Sequence, residues 1–147
     1  MKLLWRPLVA LCTLAAPLFA GALRIEVGNP ASNPEAIRSH AVLVARITAC
    51  HSPEKTTVSA TAEGVVDGVR TSIPLKVISL STAGSFAVAR EWPDKGRWAI
   101  KMVATNPDYK DYATSVVVPI RSDSAQLSAA KHYSHAPVDA DVLLALN

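Results

Sequence analysis

From Thr56 to Leu80 the chain alternates, turns on two residues, and alternates again. Val58, Ala60 and Ala62 share one side, and Thr57, Ser59, Thr61 and Glu63 share the other. A period of two marks a half-buried strand. Asp67-Gly68 follows between Val66 and Val69, and Asp-Gly suits the type I′ turn because both positions need positive φ. The segment is therefore expected to form a hairpin of Thr56–Val66 with Val69–Leu80. Pro74 lacks an N–H, which makes the second strand an edge or interrupts it.

Similar runs recur on both sides. Leu23–Val27 alternates, and GNPASNPEA after it carries two Asn-Pro turn signals. Ala41–Ala49 places Leu43, Ala45 and Ile47 on one face. Ser85–Glu91 places Phe86 and Val88 together. After the turn Pro93-Asp94-Lys95-Gly96, the run Arg97–Thr105 turns Trp98, Ile100, Met102 and Ala104 inward. Tyr112–Ile120 groups Val116, Val118 and Ile120. About seven short strands, with turns every eight to twelve residues and no βαβ spacing, predict an all-β, Ig-like sandwich over residues 23–121, with a small closed barrel as the rival. Residues 122–147 form a tail: Ser124–Lys131 and Val138–Leu146 are expected to be short helices, the second docking on the domain or on a partner through Val142, Leu143 and Leu146.

Ahead of this domain lies an export signal. Lys2 and Arg6 precede an uncharged apolar run, Leu8–Ala20, which leads into Ala20-Gly21-Ala22. Small residues at the first and third positions suit signal peptidase, so residues 1–22 are expected to leave by cleavage after Ala22. The run is too short for a spanning helix of about 20 residues, and Pro17 interrupts it. Leu11 before Cys12 does not suit a lipobox. Export places the product in the periplasm or outside the cell if the source is bacterial, with no transmembrane segment after cleavage.

Cleavage changes the chemistry. The remaining 125 residues carry 13 basic and 12 acidic side chains, a net charge of +1. That balance, with no basic stripe, argues against a nucleic-acid partner. Cys50 becomes the one remaining cysteine, so no internal disulfide can form. With His51 it offers thiolate and imidazole to copper or zinc, provided the chain turns at Ser52-Pro53. The competing reading is a buried, inert thiol. His132 and His135 would share a face of a helix and form a two-histidine metal site, with His40 as a third ligand; otherwise they belong to a solvated tail. Trp92, Tyr109 and Tyr112 fall beside strand ends, where sandwich loops carry binding, although Trp92 can instead pack over the end of the core. No hydrolase, metalloprotease, P-loop or dinucleotide motif is present in the sequence.

The segment Gly84–Met102, GSFAVAREWPDKGRWAIKM, resembles a pattern of bacterial exported Ig-like domains, the YtkA-like and more loosely the CopC-like proteins. In these a Gly-aromatic strand leads through a short turn to Gly-x-Trp, and strand order extends the likeness to residues 41–120. The resemblance implies a sandwich with Trp98 buried. The CopC-like copper ligands, histidines and methionines, do not carry over, because Met102 is the one methionine after residue 22 and falls on an inward face. The expected function is a non-catalytic exported binding or accessory module, its partner a protein or envelope component. The alternative is a periplasmic copper- or zinc-handling protein using Cys50, His51, His132 and His135.

Overall fold

The computed structural model describes residues 23–48, 52–109 and 113–147; residues 1–22, where the export signal is expected, and Cys50, His51 and Tyr112 lie outside them. The strands are β1 (Arg24–Gly28), β2 (Ala41–Thr48), β3 (Thr57–Val66), β4 (Val69–Pro74), β5 (Val77–Ser79), β6 (Ser85–Ala89), β7 (Arg97–Thr105), β8 (Ala113–Arg121), β9 (Ser124–Ala125) and β10 (Lys131–Tyr133). Helix α1 (Pro34–Arg38) precedes β2, and α2 (Asp139–Leu146) ends the chain. Two antiparallel sheets face each other: β1-β2-β6-β5, and β10-β8-β7-β3-β4 with β9 beside β8. This is the all-β sandwich that the alternation predicts.

The core lies between the sheets and joins Leu43, Ala45 and Ile47 to Ala62, Trp98, Ile100, Met102, Val116 and Val118. The inward faces of β7 and β8 are those expected from the pattern. At the β3–β4 turn Asp67 has φ 51° and Gly68 φ 82°, as a type I′ turn requires. Val69–Leu80 does not continue as one strand. It breaks at Pro74, and β5 resumes in the opposite sheet, beside β6. The Leu75 N–H donates to the Ala60 carbonyl at 2.9 Å, which fixes the crossing. The segment 84–102 likewise crosses between sheets, since β6 pairs with β2 and β5 while β7 pairs with β3 and β8.

Each sheet carries a helix on its outer face. Asn33 caps α1 by accepting the N–H groups of Glu35 and Ala36 at 2.9 and 3.1 Å. Ala36 is buried, and the Glu35 carboxylate accepts the Ser81 N–H at 2.8 Å. On the other sheet α2 buries Val142, Ala145 and Leu146 against Ala99 and Val117, with Val65 and Tyr133 at the flanks. Val142 and Leu146 thus dock as expected; Leu143 faces solvent at 45% exposure.

The rest of the tail differs from expectation. Ser124–Lys131 is not a helix. Ser122 and Asp123 take φ of 47° and 62° and turn the chain back, so that Ser124 and Ala125 lie opposite Arg121 and Ile120. A short 3₁₀ turn then leads to β10, whose Lys131 lies opposite Val117. The free edge of β8 offers this segment more backbone partners than an isolated two-turn helix would. With β9 and β10 added and the Pro74 break, the described residues form ten strands. Among the described residues no helix is long and apolar enough to cross a membrane.

Candidate binding groove

Sheet order leaves two strands with one neighbour each on the same flank: β1 at the edge of one sheet and β10 at the edge of the other. Between them runs an open groove of about 810 Å³. Residues 23–27 form one wall; Leu127, His132, Tyr133 and Ser134 form the other. Strand alternation gives it an amphipathic section. Leu23 and Ile25 are buried in the core, while Arg24 and Glu26 stay exposed at the rim.

The residues singled out in the sequence scatter around this feature. His132 lines the groove. His135 sits beyond β10, exposed, its ring 5.5 Å from that of Tyr133 and its Nδ1 2.8 Å from the Ala136 carbonyl oxygen. Because Lys131–Tyr133 is a strand, His132 and His135 do not share the helical face that a two-histidine site would use. The Ser115 hydroxyl donates to the His135 carbonyl and holds this turn against β8. His40 lies at the far end of β2 from Thr48 and Arg24, in a turn with φ 52°. Among the described residues no group of three or more His, Cys, Asp or Glu is placed to hold a metal ion. Cys50, His51 and Tyr112 fall outside the described residues.

Trp92 is 4% exposed and packs into the core, the alternative that its place at a strand end allowed. Arg90 packs beside it. The guanidinium lies 5.7 Å from the indole centroid, its Nε donates to the Trp92 carbonyl, and it pairs with both Asp94 and Asp123. Tyr109 is part-buried, and its N–H donates to the Asn106 carbonyl at 2.9 Å. Asn106, which the sequence did not single out, is 3% exposed. Its amide donates to the Ser52 carbonyl and the Thr56 hydroxyl at 2.9 and 3.0 Å, tying the two loops at this end together.

A buried carboxylate is the other feature that alternation alone did not reveal. Glu63 points to the outer face of its sheet, as expected, yet is only 6% exposed. It pairs with Lys101 at 2.7 Å and accepts the hydroxyls of Thr61 and Ser72 at 2.8 and 3.0 Å. Burial pushes its pKa up, but the Lys101 contact and the two hydroxyls outweigh this and hold it below the usual carboxylate value. A depressed folded pKa gives stability that is present above the unfolded pKa and is lost as pH falls through the folded one. Glu63→Gln is expected to lower stability by about 1–2 kcal/mol at pH 7, because Lys101 loses its countercharge. The deficit should shrink as pH falls below about 4.3, where the unfolded carboxyl protonates. Urea melts of both proteins from pH 7 to 3 check this; a constant difference would exclude an ionised Glu63 as the cause.

No family model, characterised protein or solved structure matches the chain.

Proposed function

We propose that this protein is an exported, non-catalytic binding module of the cell envelope that holds a partner protein in the groove between β1 and β10. The groove carries the reading: it is open, lined by the apolar Leu127 and Tyr133, and charged at its rim by Arg24 and Glu26. The positively charged start, apolar run and Ala20-Gly21-Ala22 support export, and the likeness of residues 84–102 to exported YtkA-like domains agrees with it.

A photo-crosslinking amino acid placed at 132 in the living source cell tests the groove. A discrete protein adduct is expected from 132 and none from exposed position 76, on the opposite flank between β4 and β5. Equal labelling from both positions, or none, would reject it. Intact-mass analysis of the exported protein should find Leu23 at its amino terminus; a chain that keeps residues 1–22 would remove the export half of the proposal.

A further inference from the structure

Resting on that reading, we infer that the occupant of the groove is an extended polypeptide segment that joins the free edge of β1 as an added strand. All five residues of β1 pair with β2, from Arg24 opposite Thr48 to Gly28 opposite Val44. In an antiparallel pair, alternate residues turn their N–H and C=O away from the partner. Those groups of β1 face the flank that holds the groove, and among the described residues no strand pairs with them. Such an edge is a template for strand addition. Five residues extend about 17 Å, the length of an ordinary strand. The opposite wall is poorer for pairing, because β10 has three residues and gives way to a bend at Ser134.

Side chains define the chemistry of the segment. Arg24 and Glu26 are two apart and share the exposed face of β1. A strand laid beside them meets complementary charge if it carries an acidic residue next to Arg24 and a basic one two positions along, next to Glu26. Its alternate residues then turn inward over Leu127 and Tyr133, where apolar side chains fit. The segment is therefore an alternating one, apolar inside, with one acid and one base on the outer side.

The test selects from random nine-residue peptides displayed on phage, using the mature protein as bait. Enriched peptides should alternate and carry the acid–base pair, and a bound peptide should slow amide exchange at residues 24–28. Arg24→Glu with Glu26→Lys should weaken such a peptide at least about fivefold, and exchanging the peptide's own acid and base should restore it. Unchanged affinity in the reversed protein, or peptides that bind without protecting β1, would overturn strand addition. If position 132 still crosslinks a native partner in that case, the groove stands and only this mode of binding falls. If selection yields no binder and position 132 yields no adduct, both fall together.

Discussion

Gly64→Ala is expected to destabilise the protein by about 3 kcal/mol, near the top of the range for overpacking a core. At most strand positions the same change costs nothing or helps, because alanine has less conformational entropy to lose. Gly64 is an exception for a steric reason. It lies opposite Trp98 in the β3–β7 register, and a Cβ built there falls 2.3–2.6 Å from three carbons of the indole. The ring has little room to yield: it is 3% exposed, sits in the core, and its Nε1–H donates to the Lys95 carbonyl at 2.9 Å. Either β3 moves off β7 or the indole leaves its rotamer. A double-mutant cycle isolates this cause. Trp98→Leu alone should cost about 2–4 kcal/mol through the cavity it leaves, and Gly64→Ala in that background should cost under about 1 kcal/mol. Additive effects in chemical denaturation would mean that the methyl–indole clash is not the source.

The Gly64–Trp98 pair shows where sequence reading stops. Alternation identifies Trp98 as inward and β3 as a strand, but it does not say which residue lies opposite the indole; that depends on register between distant segments. Features carried by adjacent residues were legible. Asp67-Gly68 turns with both φ positive, and residues 97–105 form β7 with the expected face inward. Ser122-Asp123 makes an equivalent turn without glycine, which is why the sequence predicts a helix over Ser124–Lys131 where the chain instead returns along β8 as β9. Aspartate tolerates left-handed φ, but it carries far less turn signal than glycine. Glu63 looked like an ordinary outward residue because its cover comes from Lys101 and Ser72 on neighbouring strands. The groove was legible only in pieces. Leu23–Val27 read as a strand and His132 as a notable residue, but their meeting depends on β1 and β10 ending up at adjacent sheet edges.

The helix α2 provides the second large effect, because one short sequence carries leucines in opposite environments. Leu146 is 2% exposed and packs with Val142 and Ala145 over Ala99 and Val117, whereas Leu143 and Leu144 are 45% and 60% exposed. Leu146→Ala is expected to cost about 2–3 kcal/mol, the low end for a buried leucine because a short helix lying over one sheet can relax around the change. Leu143→Ala and Leu144→Ala should each stay within about 0.5 kcal/mol. Helix propensity does not produce the difference, since all three substitutions are leucine to alanine. Docking also protects the sheet. Val117 and Ala99 are fully buried on the outer face of their sheet beneath α2, so loosening α2 bares an apolar stripe. Leu146→Ala should therefore bind a hydrophobic dye under native conditions, while Leu143→Ala should not. If the two variants melt alike and stain alike, α2 does not pack on this face, and Ala99 and Val117 owe their burial to something else.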